Sequence, residues 1–209
     1  DEDFSLTTIA LTPEEKLLPG QEYQILLKRI WWESVRRVGN GGRLYWETEK
    51  KEDVVQQFQI MSEGEPVELS FPLEKVGYYK IEASGTDIWG NAIKTENYFY
   101  AVGSGYAAWM RTDDDYVELV PNADEFSPGE TVNILVKSPY EKVKALITVE
   151  REGIIDRWVE TVEGSADTIE IPIKSEYIPN VYIGVILIQE RIAYDKIEEE
   201  LDLGKPGFK

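Results

Sequence analysis

Carboxylates are the side chains with the greatest capacity for chemistry in this sequence, because Asp and Glu together number 40 in 209 residues. Two facing carboxylates can hydrolyse a glycosidic bond, and three adjacent ones, Asp113, Asp114 and Asp115, could gather calcium. No EF-hand spacing surrounds this run, and an acidic run in a linker is usually solvated charge. The run Glu198–Glu200 has the same interpretation. We therefore predict neither a metal site nor a catalytic pair.

Cysteine and histidine are both absent from the sequence. This excludes disulfides, thiolate nucleophiles, Cys/His zinc sites and His-based catalytic triads. No Ser, Thr or Lys has an evident activating partner. The glycine run at 39–42 lacks the Lys-Ser/Thr pair and the following helix of a phosphate loop. We predict that the chain is not an enzyme and that it binds no cofactor.

The formal net charge of −18 bears on the partners of the chain. Such a charge repels phosphate backbones and anionic membrane surfaces, which predicts no nucleic-acid partner. The longest apolar run, Val181–Ile188, is shorter than the roughly 18 residues of a spanning helix and suits a buried strand. The chain opens with an acidic stretch rather than a signal peptide. A mature start after a removed signal and a piece of a larger chain both remain open, and no direct membrane insertion is predicted.

Four aromatic residues, Trp31, Trp32, Tyr45 and Trp46, could form a platform that stacks on carbohydrate. Adjacent residues of a strand face opposite sides, so packing in the core and at the edge is the other interpretation. The platform would make the chain an immunoglobulin-like adhesin or a carbohydrate-binding module. That alternative needs these rings exposed together.

Short β-type runs separated by turns fill the first half of the sequence. Tyr23, Ile25 and Leu27 alternate with polar or outward positions as in a half-buried strand. A second strand is predicted at Leu44–Thr48, after the glycine turn. Seven or so strands at this spacing predict a β-sandwich over residues 1–103.

Two arginines lie next to the aromatic cluster. Arg36 and Arg37 could pair with Glu47 or Glu49 across a hairpin, a structural role that needs no ligand.

Small and acidic residues at 104–115 break the strand pattern and predict a linker. The second half, 116–209, repeats the opening order of a strand, a charged loop, a Pro-Gly turn and a strand. The stretch at 126–153 is typical of a turn, a strand, a turn and a strand, as in a hairpin. Further strands are predicted near 143–150, 154–163, 168–173 and 181–189. No segment has a convincing helical period.

Several motifs in family order carry a resemblance to known proteins. In the second half they are Ser127–Thr131, Lys137–Tyr140, Val149–Gly153 and Tyr177–Tyr182, and in the first half the stretches 31–55, 77–91 and 99–115. Together they resemble the bacterial α2-macroglobulin family in its middle macroglobulin domains. The resemblance spans nearly the whole chain.

The resemblance implies an all-β chain of two consecutive macroglobulin-type, fibronectin- or immunoglobulin-like antiparallel β-sandwiches. They would occupy residues 1–103 and 116–209, joined by the linker at 104–115. It implies part of a broad-spectrum protease inhibitor, without catalysis, whose partners are target endopeptidases and neighbouring domains of one larger chain. The location would be the periplasm, the bacterial cell surface or the secreted fraction. A thioester needs a Cys-containing motif that this sequence lacks.

A bait segment is implied between the strand that ends at Ile188 and the Gly204–Lys209 stretch, at 190–203. A bait must be exposed and offer varied cleavage positions. The candidates are Arg191 and Lys196 for trypsin-like enzymes, Tyr194 and Leu201 for chymotrypsin-like enzymes, and Glu199 for glutamyl-specific ones. An ordinary mobile terminus is the alternative. The resemblance also implies a further strand after Lys209, so that the second sandwich would have an open edge.

Overall fold

Twelve β-strands and two short 3₁₀ turns make up the regular structure of residues 4–189, the part of the chain that the computed structural model describes. The strands are β1 (Phe4–Thr8), β2 (Glu22–Val38), β3 (Leu44–Met61), β4 (Val67–Phe71), β5 (Gly77–Thr86), β6 (Ala92–Ala101), β7 (Leu119–Pro121), β8 (Thr131–Val136), β9 (Lys142–Glu150), β10 (Ile154–Glu163), β11 (Thr168–Pro172) and β12 (Tyr182–Ile188). The 3₁₀ turns are Asn40–Gly42 and Ser175–Tyr177. Every strand pair is antiparallel. The prediction of an all-β fold is confirmed.

The first half contains a four-stranded sheet in the order β3-β2-β5-β6 and a two-stranded sheet of β1 and β4. Tyr23, Ile25 and Leu27 are buried on one face of β2, as their alternation predicts. They pack against buried Phe71 of β4 and Tyr79 of β5. The small sheet therefore covers the inner face of the large one.

The second half contains two three-stranded sheets, β10-β9-β12 and β11-β8-β7. Its core includes Ala145, Ile147 and Val149 of β9, and Val136 of β8 and Ile171 of β11 lie in the same core. The two apolar faces meet as in a β-sandwich. Predicted strands near 143–150, 154–163, 168–173 and 181–189 agree with β9 to β12 to within one residue at each end. The predicted domain limits at 103 and 116 stay a prediction.

The first half differs from the prediction in the length of its strands. A short strand at Leu44–Thr48 followed by a separate run is wrong, because β3 extends unbroken from Leu44 to Met61. It pairs with the 17-residue β2 over nearly its whole length. β2 pairs with β5 only as far as Ile30, so residues 31–51 project as a two-stranded hairpin arm. Solvent reaches both faces of most of this arm, and its charged run therefore lacks the alternation that marks a half-buried strand.

Two features of the second half also differ. β8 and β9 do not form a hairpin, because they belong to different sheets and the chain crosses the sandwich between them. The run Val181–Ile188 is not a buried strand. β12 has β9 as its one neighbour among the described strands, and Tyr182 and Ile186 on its outer face are 70% and 59% exposed. A continuous apolar run resembles a doubly covered strand even when it lies at an edge.

The repeat of element order does not extend to strand pairing. β7 pairs with β8, the strand that follows it, whereas β1 pairs with β4 and not with β2. The two halves therefore share an order of turns and strands but not a topology.

Candidate functional site

The five predicted cleavage positions, Arg191, Tyr194, Lys196, Glu199 and Leu201, lie outside the described residues. The structure defines the point from which that segment leaves the fold. Ile188 at the end of β12 is opposite Lys144, near the start of β9. The chain therefore leaves β12 beside the turn at 137–141, which joins β8 to β9.

That end of the second sandwich is also where it meets the first one. The backbone amide of Gly103 donates a hydrogen bond to the carbonyl of Ala166 at 3.0 Å. The amide of Ser165 donates to the carbonyl of Gly105 at 3.0 Å. The predicted linker is thus held like an added strand along the turn between β10 and β11, a contact that we call the junction.

The side chain of Ser165 joins the two halves at the junction. Ser165 is 1% exposed, and its Oγ accepts a hydrogen bond from the amide of Ala107 at 2.6 Å and donates one to the carbonyl of Ala107 at 2.9 Å. The indole nitrogen of Trp109 donates to the carbonyl of Ser165. One hydroxyl thereby satisfies both backbone groups of a buried residue, which would otherwise cost free energy.

A charged side chain is enclosed beside these hydrogen bonds. The ammonium group of Lys137 lies 4.6 Å from the ring centre of Tyr100 and 5.4 Å from that of Trp109. It donates hydrogen bonds to the Tyr100 hydroxyl at 3.0 Å and to Glu118 Oε1 at 2.6 Å. Two aromatic faces and a carboxylate thus compensate a cation that is removed from most of its water.

The hairpin arm leans against the linker. The amide of Trp32 donates to the carbonyl of Ala108 at 3.0 Å, and Thr48 Oγ1 donates to the carbonyl of Arg111 at 3.0 Å. The Arg111 guanidinium lies 5.1 Å from the ring centre of Trp46. These contacts hold an arm that would be only marginally stable as an isolated two-stranded ribbon.

The predicted aromatic platform does not form as one surface. Trp31 and Trp32 are adjacent in β2, so their side chains point to opposite faces of the arm. Trp32 stacks on Tyr78 with ring centres 6.0 Å apart and is half-buried, like Trp46.

Trp32 and Trp46 do line a pocket of about 280 Å³ between the arm, the linker and the second sandwich. The pocket is walled by aromatic, apolar and charged side chains: Trp32, Trp46, Tyr106, Trp109, Met110, Arg111, Asp114, Tyr116, Glu118, Lys137 and Pro139 are among them. We call this the junction pocket. The sequence gave no signal for it, because its walls come from three distant segments.

The carboxylates are used largely in ion pairs. Arg37 Nε contacts Glu47 Oε2 at 2.6 Å, which confirms the predicted pairing across the hairpin. On the outer face of the large sheet, Glu82 accepts from Lys28 and Lys94, each at 3.0 Å. Hydrogen bonds from Lys28 and Lys94 lower the pKa of Glu82 to about 2, against the opposing effect of burial.

The calcium alternative finds no support in the coordinates. Asp113, Asp114 and Asp115 are exposed, and residues 4–189 contain no group of three or more Asp, Glu, His or Cys side chains placed to hold a metal ion. Over the same residues, no helix is long and apolar enough to cross a membrane.

Comparison with known proteins gives a consistent result. Residues 117–203 match the family model for the alpha-2-macroglobulin bait region domain. The chain is 26% identical over 207 residues to an alpha-2-macroglobulin homolog of Nostoc sp. (strain PCC 7120 / SAG 25.82 / UTEX 2576), a match that covers 98% of this chain and 11% of the relative. The chain thus spans about a tenth of that relative's length.

Two solved structures are similar over most of the chain. The native conformation of E. coli alpha-2-macroglobulin matches with 16% identity and a TM-score of 0.43, over 89% of this chain and 13% of that one. Salmonella alpha-2-macroglobulin reacted with methylamine matches with 15% identity and a TM-score of 0.40, over 89% and 13%. The resemblance to the bacterial alpha-2-macroglobulin family that the sequence motifs indicate is confirmed, and residues 117–203 match the bait region domain of that family.

Proposed function

We propose that this chain is part of a broad-spectrum protease inhibitor that traps proteases after they cut a bait segment at residues 190–203. Its two sandwiches, at 1–103 and 116–209, carry that segment and have no catalytic role. The partners are target endopeptidases and the neighbouring domains of a larger chain. The inhibitor acts in the periplasm, at the bacterial cell surface or after secretion.

The match to the bait region domain is the observation that supports this proposal most. It begins at residue 117, before β7, and extends to residue 203, past the end of β12. The segment at 190–203 therefore falls inside the matched region. Its varied side chains suit proteases of several specificities, since Arg191, Lys196, Tyr194, Leu201 and Glu199 are each typical of a different cleavage position.

The fold supports the same assignment. A protease binds its substrate in an extended form, so backbone that is already paired in a sheet resists cutting until it opens. Residues 119–188 are mostly in paired strands or in turns between them. The linker residues that follow Gly103 are hydrogen-bonded at the junction. The segment beyond Gln189 is thus the region where a cut leaves these pairings intact.

Removal of the trypsin positions tests the proposal. In the full chain, Arg191→Gln with Lys196→Gln should abolish the first tryptic cut while chymotrypsin still cuts at Tyr194 or Leu201 at an unchanged rate. The control is Arg36→Gln with Arg37→Gln in the hairpin arm, which should leave the first tryptic cut in place. The proposal is overturned if the bait variant is cut by trypsin as fast as the unmodified chain, or if the arm variant is the one protected.

A further inference from the structure

We propose that the junction pocket is the docking site of residues Ile192–Tyr194 of the same chain. The bait segment would then rest against the linker until a protease lifts or cuts it. The inference deepens the proposed function and takes its biological meaning from it, but its geometry can be tested separately.

Position and reach favour this occupant. β12 runs towards the junction, because Ile188 is opposite Lys144 and the turn at 137–141 precedes β9. Pro139 of that turn lines the junction pocket, and its carbonyl accepts a hydrogen bond from Arg111 of the linker at 3.4 Å. An extended chain advances about 3.3 Å per residue, so the six residues from Ile188 to Tyr194 span roughly 20 Å. That length suffices to pass Pro139 and enter the pocket.

The pocket has the chemistry to receive an apolar and aromatic side chain. Trp32, Trp46 and Trp109 present ring surfaces to it. Met110 and Tyr116 at its walls are 58% and 73% exposed, which is unusual for such side chains grouped together. Aromatic rings gain most when they pack on other rings while their polar atoms stay at the edge.

The sequence of the segment fits this pocket in order. Ile192, Ala193 and Tyr194 are three successive residues without charge, and Arg191 and Lys196 flank them. The exposed carboxylates at 113–115 lie along the stretch that borders the pocket, with Asp114 in its wall. Basic flanks would therefore meet an acidic rim, a modest contribution between exposed charges.

Docking would link the bait to the contact between the two sandwiches. Trp109 lines the pocket and also donates to the carbonyl of Ser165. Arg111 lines it and contacts both the arm and the turn at 137–141. Removal of the occupant by cleavage would change the surroundings of both linker residues. The junction would thus register whether the bait is intact.

Engineered cysteines test the docking, and the chain has none of its own to interfere. The test pair is Met110→Cys with Ala193→Cys, which keeps both Ile192 and Tyr194. The control pair is Glu141→Cys with Ala193→Cys. Glu141 is nearer to the exit of β12 than Met110, so a freely moving segment would favour the control. The equilibrium disulfide fraction in glutathione buffers gives an effective concentration for each pair.

We expect the effective concentration of the test pair to exceed that of the control at least tenfold. A third variant adds Tyr194→Ala to the test pair, and it should lose this preference. The docking is overturned if the control pair forms its disulfide as readily as the test pair, or if Tyr194→Ala leaves the preference unchanged. Neither result affects the proposed function, which fails only if proteases do not cut first at 190–203.

Discussion

Gly164 and Gly105 meet backbone to backbone where the two sandwiches join. A Cβ atom added to Gly164 would lie 2.8 Å from both the amide nitrogen and the carbonyl oxygen of Gly105. Gly164 also has a φ of +93°, a conformation that favours glycine. This approach brings the linker against the turn between β10 and β11 and makes possible the hydrogen bonds of Ser165 nearby.

The close approach predicts a large cost for Gly164→Ala. A suitable control is Gly129→Ala, because Gly129 has a similar φ of +96° and nothing within 4 Å of its added Cβ. The control should lower the free energy of unfolding by about 1 kcal/mol through backbone strain. Gly164→Ala should cost at least about 1–3 kcal/mol more, because the methyl group displaces the linker. Equal costs in urea unfolding would show that the approach is relaxed in solution.

The hydroxyl of Ser165 predicts a second effect at the junction. Ser165→Ala leaves the buried amide and carbonyl of Ala107 without their partner, at about 1–3 kcal/mol for each unsatisfied group. Ser127→Ala is the control, since Ser127 is exposed and its side chain makes no hydrogen bond among the described residues. Urea unfolding of both variants measures the difference. A cost within about 0.5 kcal/mol of the control would contradict the role of Ser165.

Lys137 predicts the energetic value of an enclosed cation. Lys137→Met keeps the apolar stem but removes the charge that faces Tyr100 and Glu118, so it should cost about 1–2 kcal/mol. Lys142→Met is the control, because Lys142 pairs with Glu163 where the side chains are 71% and 60% exposed. That exposed pair should contribute less than about 0.5 kcal/mol. Thermal unfolding of both variants would refute the prediction if they were equally stable.

The lowered pKa of Glu82 predicts how stability depends on pH. The folded pKa of about 2 lies below the ordinary value of 4.5, so the ionised form stabilises the fold above pH 4.5. This contribution is lost as pH falls from 4.5 to 2. Glu82→Gln should therefore lower the free energy of unfolding by about 1–2 kcal/mol at pH 7 and have a much smaller effect near pH 2.

The control for this prediction is Glu47→Gln, which removes the same charge from a fully exposed ion pair. It should change stability by less than about 0.5 kcal/mol over the whole pH range. Urea unfolding at a series of pH values distinguishes the two variants. If Glu82→Gln has the same effect at pH 2 as at pH 7, the carboxylate does not titrate as its ion pairs imply.

Local patterns in the sequence predict the sheets but not the junction. Alternation identifies Tyr23, Ile25 and Leu27 because one face of β2 is buried and the other is not. The hairpin arm was missed because solvent surrounds most of it, so alternation carries no information there. β12 was taken as buried because an apolar run has the same composition at an edge as in the middle of a sheet.

The junction depends on contacts between distant residues that no local pattern encodes. Gly105 and Ser165 lie 60 positions apart, and small residues in a linker are normally a sign of freedom rather than of close packing. The run of small residues from Gly103 to Ala108 was the available signal. Only its pairing with the turn at 164–166 shows that these residues are small because a backbone lies against them.

The central claim is that 190–203 is the bait, and the order of first cuts in the unmodified full chain tests it most directly. Dilute trypsin, chymotrypsin and a glutamyl endopeptidase are applied separately, and mass spectrometry maps the first products. We predict that all three cut first between Glu190 and Leu203 and leave residues 1–189 whole. First cuts at the glycine turn 39–42 or at 103–115, with 190–203 resistant, would contradict the account and leave the two sandwiches as spacer domains.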